Sequence, residues 1–387
     1  MLNKDNVREL AYVVKVNAIT PMDADRLECA HINGWNCVVG KGEFKPGDLA
    51  IYFEIDSKLP EVEPFTSMEF LKSKNYKIKS QKIRGVISQG LLVPVSTVDF
   101  EVKEGDFLTE KIGVTYAVTE DNTRKAPSAD KYKKMAQRHP QAAKTWIWRK
   151  LWKTQIGKDI LFLFFGKAKD NRGWPAWVVK TDEERVQNMP WILQNKQPWI
   201  ATEKIDGTST TFTMKRKKGL FKDKFDFYIC SRNVVFDKPD KKCFYDTNHY
   251  VEMAQKYNIE ERMQLMLERH PKWDWVTIQG ETYGPGIQKR DYSNTDVKFR
   301  AFNFITSADG RWSSDKAQQY LDVYEIPFVP IISTQYILPD TVDELIEQAT
   351  GTSVLDGLPR EGIVFRSQDG AQSFKAVSNE YLLKYHQ

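Results

Sequence analysis

Cysteine is scarce: Cys29, Cys37, Cys230 and Cys243 are the four in 387 residues, and none stands in a Cys-x-x-Cys pair or beside paired histidines. A zinc site and a disulfide framework are therefore not expected, and buried thiols in a reducing compartment are. Long apolar runs are missing as well. The strongest, Ile160 to Phe165, is far below the ~20 residues of a membrane span, so no membrane role is expected. The first residues, Met-Leu-Asn-Lys-Asp-Asn, hold no signal-peptide core, which predicts a cytoplasmic protein (the host cytoplasm if the source is viral).

Overall charge is also small, at +5, but it is unevenly spread. Between Arg124 and Arg172 fourteen Lys/Arg face three acids, a surplus of eleven that leaves the rest of the chain at −6. Such a concentrated basic segment points to a polyanionic partner. With 28% charged and 41% hydrophobic residues, the length allows two or three domains with cores of their own.

Residues 1 to 112 read as β-rich. Ala11–Val16, Trp35–Val39 and Asp48–Glu54 alternate in short runs, with a Pro-Gly turn at Phe44–Asp48 and glycine bends in Arg84–Pro94. Several short strands in about a hundred residues predict a small OB-like barrel that binds nucleic acid. A barrel serving only as scaffold fits the same pattern. Residues 113–175 read as a basic helical connector, helical over Lys131–Trp152 with a break at Pro140. Trp146, Trp148 and Trp152 lie there among Lys144, Arg149, Lys150 and Lys153. That interleaving suits a nucleic-acid groove with stacking platforms, and equally an amphipathic helix pair with its tryptophans turned inward.

Residues 176–387 read as an α+β domain with a mostly antiparallel sheet. Lys180–Asn188 predicts a short helix capped by Thr181 or Asp182, and Asn248–Arg269 a longer one with Met253, Tyr257, Met263, Met266 and Leu267 inward. Within this domain lies Lys204-Ile-Asp-Gly207, followed by the β-branched run Thr208–Thr213. Alone, that tetrapeptide also fits a turn with a solvated lysine. Four later stretches share one property, charge embedded in apolar strands: Ser231-Arg-Asn233, Gln279–Gly284 around Glu281, Glu361–Arg366, and Ser373–Val377 around Lys375. Buried charge is costly unless it is paired or meets a metal or phosphate, so together these predict one polar pocket.

In order and type these segments resemble the motifs of covalent nucleotidyltransferases, the polynucleotide ligases and messenger-RNA capping enzymes. Lys204–Gly207 is similar to motif I and Ser231–Asn233 to motif Ia. Glu281 falls in motif III, Phe299–Asn303 in IIIa, Glu361–Val364 in IV and Lys375 in V. The Lys180–Arg185 lead-in, the form Glu203–Ser209, a barrel in front and an end twelve residues past Lys375 resemble ATP-dependent RNA ligases with an N-terminal OB domain, sometimes called family 5. Two departures stand out. Val377 occupies the place of a second motif V lysine, for which Lys384 is the candidate replacement, and the basic connector is longer than the family plan.

The resemblance implies that Lys204 attacks ATP, that AMP passes to an RNA 5′-phosphate, and that the RNA 3′-OH then displaces AMP. It implies catalytic roles for Lys204 and Lys375, and nucleotide contacts from Glu203, Lys204, Ile205, Gly207, Arg232, Glu281, Phe302 (or Phe299) and Lys375. Asp206, Glu281 and Glu361 are the implied holders of Mg²⁺ or Mn²⁺, through water, with further phosphate contacts from Lys180 and Arg185. A neighbouring cation such as Lys375, with the metal, is expected to push Lys204 towards its neutral amine. The expected partner is RNA, as a nicked duplex or RNA/DNA hybrid, bound by a monomer for RNA repair. A DNA ligase, a capping guanylyltransferase and an inactive RNA-binding relative are the alternatives.

Overall fold

The computed structural model describes residues 1–3, 7–117, 145–154, 157–158, 160–161, 174–219, 222–236 and 248–385. Two compact units emerge, one of residues 1–117 with 176–387, the other of residues 118–175.

In the front part of the first unit, strands Ala11–Lys15, Leu49–Phe53 and Leu91–Pro94 form one antiparallel sheet, and Ala18–Pro21, Leu27–Ile32 and Trp35–Gly40 a meander. The predicted strands are found. Both faces of the first sheet are buried, because alternate residues enter different cores. Ala11, Val13, Ile51 and Phe53 pack under the loop and short helix at 65–76, while Tyr12, Val14, Ala50 and Tyr52 pack against the meander around Trp35. A two-residue turn, Arg84-Gly85, joins strands Gln81–Ile83 and Val86–Ser88, and both turn residues have positive φ.

The larger part, 176–387, holds two antiparallel sheets. One has four strands in the order Ile331–Tyr336, Trp199–Lys204, Gly362–Ser367, Ser373–Val377. The other is built on Lys224–Cys230, Thr208–Lys217, Trp275–Tyr283 and Lys298–Thr306. The chain leaves the first sheet at Lys204 and enters the second at Thr208. The Lys-Ile-Asp-Gly stretch is therefore the crossover between sheets, not a hairpin turn. Thr210 and Thr213 are fully buried mid-strand, which their hydroxyls tolerate by bonding Thr282 (2.7 Å) and Thr277 (2.6 Å) on the next strand.

Two predicted helices need correction. The 248–269 segment is two helices, His249–Lys256 and Ile259–Arg269, because Asn258 adopts a left-handed conformation (φ 47°) between them. The inward methionines and Leu267 are buried as expected, and Tyr257 packs at the edge of the same core. Residues 180–185 form no helix, and only a 3-10 turn at Val186–Asn188 follows. Both would-be capping side chains have distant partners instead, Thr181 bonding Ser209 and Asp182 pairing with Arg232, and the next residue, Glu183, pairs with Arg366. Tertiary pairing outweighs a local cap worth about 1 kcal/mol.

The two parts of the first unit touch. Leu2 N–H donates to the Asn188 carbonyl, Gln187 reaches the Gly34 carbonyl, and Lys82 Nζ donates to Leu383 O at 3.3 Å in the final helix, Asn379–Tyr385. Of the connector, the helix Trp146–Leu151 is described, capped by Thr145. Trp148 is buried and stacks on Trp152 while Trp146 is exposed, so both readings of the tryptophans keep a share. The predicted helical residues 131–144, the break at Pro140 and Cys243 lie outside the described residues. Cys29, Cys37 and Cys230 are free and buried. No helix among the described residues is long and apolar enough to cross a membrane.

Candidate functional site

The strand registers assemble the site. Lys204 lies across from Gly362, and Gly362 from Val377; one step along, Thr202, Val364 and Lys375 share the next such row. Glu361 precedes Gly362, so it arrives beside Lys204, whose Nζ donates to Glu361 Oε2 at 2.7 Å. Glu281 comes from the other sheet, opposite Ser209. Gly207 explains how the sheets close on each other. A Cβ there would lie 2.3 Å from Thr282 O and 2.8 Å from Glu281 Cγ, so only glycine lets the crossover run against the 275–283 strand. Its immediate reason is this backbone contact.

Between the sheets lies a cleft of about 360 Å³. Lys204, Arg232, Glu281, Phe302, Arg366 and Lys375 are on its wall, with Glu203, Ile205 and Gly207. Phe302 faces the cleft with the Arg366 guanidinium 5.7 Å from its ring. Phe299, the alternative, is fully buried edge-on against Phe212, 5.1 Å away, and belongs to the core. The Glu203 carboxylate is committed elsewhere, accepting from Ser353 Oγ and, at 2.9 Å, from Val354 N–H. Arg232 pairs with Asp182, which also lies 3.8 Å from Lys375 Nζ.

Asp206 and Glu361 stand just behind the wall. Asp206 N–H donates to the Tyr292 hydroxyl oxygen at 2.6 Å, and Asp206 Oδ2 accepts from Tyr381 of the final helix at 2.9 Å. Lys180 lies off the cleft and bonds Asn233 at 2.9 Å. Arg185 is also off the wall, its guanidinium 5.8 Å from the Trp35 ring of the front part and its Nη1 buried without a partner. Lys384 is exposed on the final helix, 5.2 Å from the Tyr385 ring, and does not reach the cleft; Val377 is buried where a second lysine was looked for.

Electrostatics set the protonation of these groups. Burial would lower the Lys204 pKa, but Glu361, Glu281 and Asp206 outweigh it and hold the amine above its ordinary value. The expected push towards the neutral amine included a bound metal; in the unliganded protein Lys204 is a paired ammonium. Lys375 is the depressed lysine, through burial and repulsion from Lys204 and Arg185 against the pull of Asp182 and Glu361. Burial, with repulsion from Glu361 and Asp206 against the pull of Lys204, pushes Glu281 up to about 8. Three carboxyl groups, of Glu281, Glu361 and Asp206, thus gather about the Lys204 amine. Among the described residues no three acidic, histidine or cysteine side chains form a direct metal cage. An all-oxygen set that spaced fits a hydrated hard cation.

Sequence reasoning missed several contributors. Arg366, 2% exposed and bonded to Thr202 and Glu183, sat at the end of a quoted stretch, but a terminal arginine reads as solvated. Gln288, which donates to Gly207 O at 3.0 Å, and Tyr292 and Tyr381 carry no local signal, because their roles exist only across sheets and helices.

A profile described as RNA ligase matches residues 197–386, which contain the crossover, Glu281, Glu361 and Lys375, and one described as an OB-fold domain matches residues 10–95. This catalytic part, residues 197–386, belongs to the RNA ligase family. Three solved structures of a Naegleria gruberi RNA ligase resemble this family member along nearly its whole length. The complex with PPi is 26% identical over 98% of this chain and 99% of that one, with a TM-score of 0.64. A mutant with ATP and Mn is 27% identical over 98% and 100%, at 0.64. A mutant with AMP and Mn is 27% identical over 98% and 99%, at 0.62. The curated proteins give no match. As an RNA ligase, the chain is an enzyme with its OB-fold domain in front of its catalytic one.

Proposed function

We propose that this RNA ligase uses ATP to join RNA 3′-OH and 5′-phosphate ends at nicks in duplexes, as a repair activity, acting as a monomer. The observation that carries the reading is Lys204 Nζ on the cleft wall, paired to Glu361 and ringed by Arg232, Lys375 and Arg366. The N. gruberi complexes with ATP and Mn, AMP and Mn, and PPi supply the nucleotide part by analogy.

Phe302 stacks on adenine, and Arg232 and Lys375 leave Asp182 to meet the phosphates. Glu361 Oε2 takes the proton of Lys204, whose lone pair then attacks the α-phosphorus; a P–N bond forms, the α–β P–O bond breaks and pyrophosphate leaves. The RNA 5′-phosphate next displaces the lysine, breaking P–N, forming a phosphoanhydride and returning the proton to Nζ. The 3′-OH then attacks the 5′-phosphorus, losing its proton as AMP departs. Lys375 and Arg232 offset the negative charge that grows on the phosphate oxygens. Glu281, Glu361 and Asp206 would hold Mg²⁺ or Mn²⁺ through water; when bound, it supplies the positive charge that makes release of the Lys204 proton favourable.

Incubation with [α-³²P]ATP and Mn²⁺ tests this: the wild type is labelled and Lys204→Ala is not. Label from GTP in preference to ATP, or label on the alanine variant, overturns it.

A further inference from the structure

The OB-fold domain carries a second accumulation of positive charge, separate from the connector. Residues 70–84 contain Lys72, Lys74, Lys77, Lys79, Lys82 and Arg84 and no acid. The meander that precedes them, residues 18–48, holds five acids against Arg26, Lys41 and Lys45. Along the sequence, the positive charge of this domain is therefore concentrated at 70–84.

The fold turns this run into a groove. Lys74, Lys77 and Lys79 line a cleft of about 290 Å³ with Leu27, Val38 and Phe70, and the Phe70 ring is 50% exposed. Lys72 pairs with Glu69, and Lys74 donates to the neutral Gln81. Lys77, Lys79, Lys82 and Arg84 have no acidic partner among the described residues, whereas Lys204, Arg232, Arg366 and Lys375 each stand within 4.0 Å of a carboxylate. Lysines gathered on one face without counter-charges repel one another, and that cost is relieved when a polyanion binds. Arg84 is presented at the tip of its two-residue turn.

The ridge also leads towards the catalytic part. Lys82, on the same hairpin, donates to Leu383 O in the final helix, and Tyr381 of that helix holds Asp206. A chain laid along the lysines is thus carried to the helix that braces the crossover.

We propose that this ridge, Lys74, Lys77, Lys79, Lys82 and Arg84 with Phe70, binds the phosphodiester backbone of the RNA strand flanking the break, Phe70 providing an apolar contact for a base or sugar. Regular cations beside an exposed ring suit a strand whose phosphates recur, better than an acidic protein with irregular charge. The inference deepens the ligase reading and rests on it for the identity of the polyanion.

Fluorescence anisotropy of the full chain with a labelled nicked RNA duplex tests it, across a salt series. The variant Lys74→Gln/Lys77→Gln/Lys79→Gln is expected to bind at least tenfold more weakly, with the slope of log K against log salt reduced by about 2–3. The matching arginine variant should restore both, separating charge from fold, and Phe70→Ala should weaken binding with the slope unchanged. Wild-type affinity and slope in the glutamine variant overturn the proposal, as does a loss of affinity for an acidic polypeptide with none for RNA. Self-adenylylation is read in parallel. Its absence in the wild type defeats the ligase reading, while the anisotropy still decides the ridge.

Discussion

Two clusters of positive charge, the cleft between the sheets and the ridge on the OB-fold domain, differ in what stands beside them. In the cleft every named cation has a carboxylate within 4.0 Å, and the Lys204–Glu361 and Arg366–Glu183 pairs are held largely out of water. On the ridge the five cations face solvent or neutral groups among the described residues. Paired charge at low dielectric is strong, geometrically fixed and poorly screened, which suits a reaction whose charge moves by an ångström. Unpaired surface charge is long-ranged, forgiving in geometry and screened by salt, which suits holding a polymer in any register.

Removing one partner from each cluster should separate them most. Glu361→Gln leaves Lys204 without its proton acceptor, and label incorporation from ATP should slow by on the order of 10²–10³; a rate within threefold of wild type would break the distinction. Salt should divide them next. Raising it from about 50 to 200 mM should weaken RNA binding by roughly 10³ if about six phosphates are contacted, while the rate of self-adenylylation at saturating ATP changes several-fold at most. Equal sensitivity of both steps would place the ridge and the cleft on the same footing. Gly207→Ala probes how rigid the cleft is: its Cβ meets Thr282 O, so unfolding stability should fall by about 1–3 kcal/mol, readable as a lower melting temperature. A last contrast lies between neighbouring rings. Phe299→Ala should cost about 3–5 kcal/mol as a core cavity, whereas Phe302→Ala should raise the KM for ATP and leave the melting temperature nearly unchanged.

What was legible beforehand follows the same division. Glu281, Glu361 and Lys375 could be read because a charge inside an apolar strand is anomalous wherever it occurs. Lys204 could be read as a candidate because Lys-x-Asp-Gly sits before a β-branched run, but its place at a crossover between sheets could not. Residues 180–185 could not, because their local chemistry spells a helix cap and the partners that overrule it, Ser209, Arg232 and Arg366, lie 28 to 183 positions away. Tyr292 and Tyr381 stayed hidden for the same reason. The break at Asn258 was missed because apolar spacing carries across a single left-handed residue with little change of phase. The 70–84 ridge was in plain sight as composition, but only the folded groove shows its lysines on one wall with Phe70 and without acids.

The ion pair between Lys204 and Glu361 has one more consequence. An amine that attacks phosphorus will also attack other electrophiles that drift into an open cleft. With its side chain 24% exposed and its pKa raised, Lys204 of the free enzyme keeps its lone pair bound up as an ammonium. Acyl phosphates, thioesters and aldehydes that reach it before ATP therefore meet a weaker nucleophile than an ordinary lysine, and the ion pair lowers the rate of stray acylation at the proposed nucleophile.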